Sequence, residues 1–172
     1  MQPALTLLKS LLIPYFFIAS VTIAMTSPAL AGQALIGSAV DLELTDIDGK
    51  KYPLQQYQGK WLILNSWATW CPPCRDEIPM LVDYDNEHKN VMVFGINYEP
   101  GIEVSDLREF IDDYFVSYPT VMANRAIIEA FGNPRGLPMT VFIDPEGKVA
   151  KQYVGMLNEQ LLNRITKQAN KK

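Results

Sequence analysis

Trp61-Leu62-Ile63-Leu64-Asn65-Ser66-Trp67-Ala68-Thr69-Trp70-Cys71-Pro72-Pro73-Cys74 decides how the chain folds. Residues 61–67 are nearly all apolar and too few for a helix with its own face. They predict a strand buried on both sides and central to a sheet. Pro72 and Pro73 stand where a helix can begin, because the first helical positions need no N–H donor. Ile78, Leu81, Val82 and Tyr84 or Asp85 continue that helix, and Pro79 within it predicts a kink. A C-x-x-C at a strand-to-helix junction spans one helical turn, which puts its two Cα atoms about 5–6 Å apart, within disulfide range.

Upstream, residues 41–44 and 51–54 flank the turn dipeptide Asp48-Gly49 and predict a small hairpin, followed by a polar connection over 55–60. Downstream, residues 91–96 read as a second buried strand. Val104, Leu107, Phe110, Ile111, Tyr114 and Phe115 recur at helical spacing, with Asp106, Glu109, Asp112 and Asp113 as a solvated face. An extended stretch at 118–122, a short helix at 125–131 and a loop at 132–136 lead to strands at 140–143 and 149–154. Asp144-Pro145-Glu146-Gly147 joins these two strands as an antiparallel hairpin. An amphipathic helix over 157–169 closes the chain. This order predicts an α/β protein, a mixed sheet flanked by helices on both faces.

The 172 residues carry 15 basic and 19 acidic side chains, a formal charge of −4 that gives no basic footprint for nucleic acid. Lys9 is the sole charge before Asp41, residues 11–25 are apolar with one proline, and Ala29-Leu30-Ala31 offers an A-x-A cleavage site. Residues 1–31 therefore read as a signal peptide, with an uncleaved membrane anchor as the alternative. Residues 35–172 are the expected folded domain, about 140 residues and large enough to bury a core without a staple. Export leads to an oxidising space, yet the chain has only Cys71 and Cys74. So close a pair cannot tie distant parts of the fold together.

Chemistry explains the pair better than architecture does. At the helix N-terminus, unpaired N–H groups and the dipole favour a Cys71 thiolate as nucleophile, leaving Cys74, one turn in, as the resolving thiol. A structural disulfide closing so small a loop would constrain the unfolded chain least of any spacing. Zinc wants four ligands, and His88 is the one histidine. A Cu(I) site helped by some of the seven methionines stays open as a binding-protein alternative. Pro72 and Pro73 carry no N–H, so a Cys71 thiolate relies on the Cys74 amide, the dipole and solvent. A less stabilised reduced form predicts a reductant of other disulfides.

Residues 65–79, Asn65-Ser66-Trp67-Ala68-Thr69-Trp70-Cys71-Pro72-Pro73-Cys74-Arg75-Asp76-Glu77-Ile78-Pro79, closely resemble the active-site segment of exported thioredoxin-like reductases of the TlpA, ResA and CcmG type. Gly136-Leu137-Pro138-Met139-Thr140-Val141-Phe142-Ile143-Asp144 and Gly147 resemble that family's second signature. The resemblance implies a thioredoxin-like fold with an N-terminal hairpin and a central βα insertion at 97–118. It implies a cis Pro138 facing the disulfide, with Trp70, Leu137 and Pro138 receiving a substrate strand.

Asn65 stands where thioredoxins proper carry a buried Asp, so a proton-moving role must lie elsewhere. Glu77 matches an acidic residue near the cysteines of ResA-like proteins and is the candidate acid-base partner; a solvated first-turn Glu is the alternative. Trp67 and Trp70 are expected beside the site, His88 on the surface, and the 97–100 loop resembles a segment near the active site in CcmG-like proteins. The resulting expectation is a periplasmic thiol-disulfide oxidoreductase without cofactor or metal. It would reduce disulfides of clients such as apocytochrome c or metal-site assembly proteins, supplied by a membrane electron donor of the DsbD or CcdA type. Inner-membrane anchorage is the alternative location. A Cu(I)-binding metallochaperone using the same dithiol is the alternative function, and a peroxidase a weaker third.

Overall fold

The computed structural model describes residues 36–167. The elements are β1 (Glu43–Thr45), β2 (Lys51–Pro53), β3 (Trp61–Trp67), α1 (Pro72–Glu87), β4 (Val91–Asn97) and α2 (Val104–Asp113). They continue with β5 (Thr120–Met122), α3 (Arg125–Phe131), β6 (Met139–Ile143), β7 (Val149–Val154) and α4 (Glu159–Lys167). The expected signal peptide at 1–31 lies outside the described residues. Among the described residues no helix is long and apolar enough to cross a membrane.

Five strands form the sheet in the order β5-β4-β3-β6-β7. β3 pairs parallel with β4 and antiparallel with β6, β4 pairs parallel with β5, and β6 pairs antiparallel with β7. Every residue of β3 is buried, as a central strand covered on both faces must be. Leu62 and Leu64 join Phe94, Ile96 and the α3 residues Ile127 and Phe131 on one side. Ile63 joins Val93, Phe142, Leu81 of α1 and Leu162 of α4 on the other. Each such side chain contributes about 1.5–3 kcal/mol on burial, so helices on both faces follow from strands apolar on both faces.

The hairpin β1–β2 forms a separate two-stranded sheet. Its turn is held by Asp46, whose carboxylate accepts the N–H groups of Asp48 and Lys50. The Ile47 N–H donates to the Thr120 carbonyl at 2.9 Å, so the hairpin ties onto the short edge strand β5 and shields it. The expected polar connection begins with a 3-10 turn at Leu54–Tyr57 that buries Leu54.

Two expectations are corrected. Helix α2 stops at Asp113, and Phe115 is 83% exposed rather than on the apolar stripe. Phe115 sits at φ +53, which ends the helix by turning the chain so that Val116 N–H reaches the Ile111 carbonyl. Helix α4 begins at Glu159 instead of 157, because Asn158 accepts the Leu161 N–H as a cap while Leu157 is buried ahead of it. The last residues expected in it, 168 and 169, lie outside the described residues. Pro79 is accommodated within α1, which continues unbroken to Glu87.

Candidate active site

Buried β3 hands over to α1 through Ala68, Thr69 and Trp70. Cys71 is the N-cap of α1, with Pro72 and Pro73 at the first two helical positions. Cys71 and Cys74 form a disulfide with Cα atoms 5.3 Å apart, inside the range expected from one helical turn. The pair packs with Trp67, Ala68 and Leu107, and Leu137 lies against the same cluster. In this oxidised form both cysteines are nearly buried, Cys71 3% and Cys74 1% exposed.

The Leu137–Pro138 peptide bond is cis. Pro138 is buried, and its carbonyl accepts the Gly155 N–H at 2.9 Å, tying the start of β6 to the end of β7. The two tryptophans part company. Trp67 is fully buried and stacks on Phe110 of α2 with centroids 5.1 Å apart. Trp70, expected beside the site as well, is 62% exposed and so gives the disulfide little cover. It stands in solvent, one residue ahead of Cys71.

Glu77 resolves against the solvated alternative: its residue is 1% exposed. One carboxylate oxygen accepts Asn65 Nδ2 at 2.7 Å, and the other accepts the Leu157 N–H at 2.7 Å. Burial pushes the carboxyl up from 4.5 to about 7, and the bonds from Leu157 and Asn65 pull in the opposite direction. One turn separates Cys74 from Glu77, so both occupy the buried face of α1. An acid that gains and loses its proton near neutrality suits exchange with a thiol. Asn65 also donates to Thr140 Oγ1 at 3.1 Å, linking β3, α1 and β6 through polar atoms inside an apolar layer.

The loop after β4 does reach the site segment. Glu99 accepts both the N–H and the hydroxyl of Thr69, at 3.0 and 2.6 Å, two residues before Cys71. The Tyr98 N–H donates to the Trp67 carbonyl at 2.9 Å. The insertion thus supplies Glu99 and the Leu107–Phe110 wall beside the disulfide, and its acidic face lines a cleft with Thr69, Glu99 and Phe110. His88 caps the far end of α1, stacked on Tyr84 with centroids 4.0 Å apart, away from the cysteines.

Sequence reasoning missed the Thr69–Glu99 contact, the Leu157 amide on Glu77 and the part played by Thr140. Only Thr140 had a local signal: a polar residue at the start of a strand otherwise apolar over 139–143. The other contacts join residues 30 and 80 positions apart, which no local pattern connects.

A disulfide at the head of a helix, fed by a buried central strand and packed against the Leu137 that precedes a cis proline on a mixed sheet, defines a thioredoxin-fold thiol-disulfide oxidoreductase. Residues 36–156 match the AhpC/TSA family, and the chain belongs to it. It is similar to the thiol-disulfide oxidoreductase ResA of Halalkalibacterium halodurans, 34% identical over 128 residues that cover 72% of this chain and 70% of that one. It is also similar to ResA of Bacillus subtilis, 32% identical over 126 residues covering 73% of this chain and 70% of that one. Among solved structures, a thioredoxin-family thiol:disulfide interchange protein from Chlorobium tepidum superposes with a TM-score of 0.69 at 30% identity, covering 80% of this chain and 99% of that one. The protein is accordingly an enzyme of thiol-disulfide exchange of the ResA type.

Proposed function

We propose that the protein is exported to the periplasm and there reduces disulfides of client proteins. The observation that carries this reading is the Cys71–Cys74 pair at the N-terminus of α1, with two prolines in place of two thiolate-stabilising amides. Cys71, as thiolate, attacks one sulfur of the client disulfide; the S–S bond breaks and the other client sulfur leaves and takes a proton. The mixed disulfide lies across the groove formed by Trp70, Leu137 and Pro138. Glu77 as carboxylate takes the Cys74 proton, Cys74 attacks the Cys71 sulfur, and the second client thiolate leaves and is protonated. Two electrons pass to the client, and the enzyme ends oxidised.

Turnover then needs two electrons from outside, which a membrane reductase of the DsbD or CcdA type supplies. Apocytochrome c, whose haem-attachment cysteines must be reduced, and metal-site assembly proteins are the proposed clients. Residues 1–31 serve as the export signal.

The test is stoichiometric reduction of a peptide disulfide by the reduced protein. Activity that disappears in Cys71→Ser supports the enzyme. Tight Cu(I) binding without any exchange overturns it in favour of a metallochaperone. Cys74→Ser leaves the mixed disulfide unresolved, so protein isolated from the exporting cell carries its client in covalent linkage, and mass spectrometry of the adduct identifies it.

A further inference from the structure

The face of β3 that meets α1 is apolar except at one register. Asn65 of β3 lies opposite Gly95 of β4 and Thr140 of β6, and the helix lays Glu77 over this row. Asn65 is 1% exposed and Thr140 is 0% exposed, so bulk solvent does not reach these groups to compensate a poor match. An ionised Glu77 only accepts hydrogen bonds, whereas a protonated Glu77 must also place one O–H. A buried neighbour able only to donate would fit one form, and a neighbour able only to accept would fit the other.

An amide does both. In the structure Asn65 turns Nδ2 toward Glu77 and toward Thr140, the arrangement suited to a carboxylate. Its carbonyl oxygen, Oδ1, is buried without a partner. One amide atom faces away from this cluster in either orientation, Oδ1 here and Nδ2 after a half-turn. A half-turn of the amide exchanges Oδ1 and Nδ2, so that Oδ1 accepts the Glu77 O–H. The Thr140 hydroxyl, donor or acceptor by rotation, follows without leaving its place.

We propose that Asn65 is a positioning residue for Glu77 whose side-chain amide serves both forms of that group, presenting Nδ2–H to the carboxylate and Oδ1 to the carboxylic acid. The inference rests on the reading of Glu77 as acid-base partner of Cys74. The other groups around Glu77 are few. The Leu157 N–H holds its second oxygen in either form, and Cys74 shares its helix face. Tyr118, running into β5, is electrostatically coupled to it, with Asp85 of α1 acting on Tyr118 in turn. Burial holds the Tyr118 phenol neutral well beyond the neutral range, so it adds no charge there.

The experiment follows the carboxyl carbons of 13C-labelled glutamate by NMR across pH, with the rate of exchange against a small disulfide measured on the same proteins. Glu77→Gln removes the near-neutral step from both readouts and so identifies it. Asn65→Ala deletes both a charge-assisted bond to the carboxylate and a weaker neutral bond to the acid, so the step moves upward by their difference, somewhat under about one pH unit. Asn65→Asp, nearly the same shape, splits the step in two as the carboxyl pair shares a proton. A step that vanishes in Glu77→Gln yet is unmoved in Asn65→Ala and undivided in Asn65→Asp overturns the role of Asn65 and leaves that of Glu77 standing. A step unchanged in Glu77→Gln overturns both.

Discussion

Thr69 gives both its backbone N–H and its hydroxyl to a single carboxylate oxygen of Glu99, at 3.0 and 2.6 Å, and so fastens the turn before Cys71 to the loop after β4. Glu99 is itself oriented, because its own N–H donates to Asn97 Oδ1 at 3.0 Å. The insertion is thereby part of the site's support rather than an appendage to it.

Hydrogen bonds to a charged group are worth about 1.5–3 kcal/mol each where they are sheltered. Glu99 and Thr69 are half-buried, which places the pair at the lower end. Glu99→Ala is expected to destabilise the oxidised protein by about 2 kcal/mol in urea unfolding, while Glu99→Gln, which keeps an acceptor oxygen, recovers at least half of that loss. Equal destabilisation by both variants would show that the carboxylate's acceptor role is not what holds the turn.

Glu77 gives stability a pH dependence of unusual sign. The folded protein holds the Glu77 proton up to about 7, whereas an exposed glutamate releases it near 4.5. Between those values the native state binds more protons than the unfolded chain, so stability falls as pH rises through the window and is level above it. The amplitude is on the order of 3 kcal/mol. Asp85, also raised by burial, is common to wild type and Glu77→Gln, so their difference isolates Glu77. Unfolding free energies at intervals from pH 4 to pH 8 should decline in the wild type and decline less in the variant.

The sequence was legible where structure follows from local chemistry. The nearly all-apolar run 61–67 could only be a covered strand, and it is; residues 125–131 form the short helix expected there. The redox pair was legible for the same reason, since a proline-led helix start fixes the spacing of its first turn. Phe115 misled because its spacing fits the α2 stripe while its backbone conformation, φ +53, leaves the helix. Glu77 stayed ambiguous because a glutamate near the start of a helix suits solvent and interior alike; it lies in the second turn of α1, not in the first turn that the solvated alternative assumed. The choice was made by α4 and the turn before it, whose Leu157 amide lies 80 residues away in sequence.

Gly95 marks a close approach that no helix or turn rule reveals. A Cβ there would sit 2.7 Å from Trp67 Nε1 and 3.0 Å from a ring carbon of Tyr118. Both rings are buried, Trp67 against the cysteines, so neither can swing aside freely. Gly95→Ala is expected to cost roughly 1–3 kcal/mol, the usual range for overpacking. It should also shift the fluorescence of Trp67, which a loss confined to strand propensity would leave in place. Urea unfolding followed by tryptophan emission measures both effects.

The proline pair makes the strongest claim about direction. With Pro72 and Pro73 at the first two positions of α1, the first amide able to face a Cys71 thiolate is that of Cys74. Pro73→Gly restores one N–H without adding charge, and Pro73→His restores the same N–H with an ionisable ring. Each stabilises the thiolate and therefore the reduced form, so the reduction potential should rise in both, further in the histidine variant. For this two-electron couple about 30 mV corresponds to 1.4 kcal/mol, and a rise of that order is expected for Pro73→His. Equilibration against glutathione reads the potential directly. Values unchanged in both variants would mean that the missing amides do not set the poise, and the preference for reducing clients would lose its physical basis.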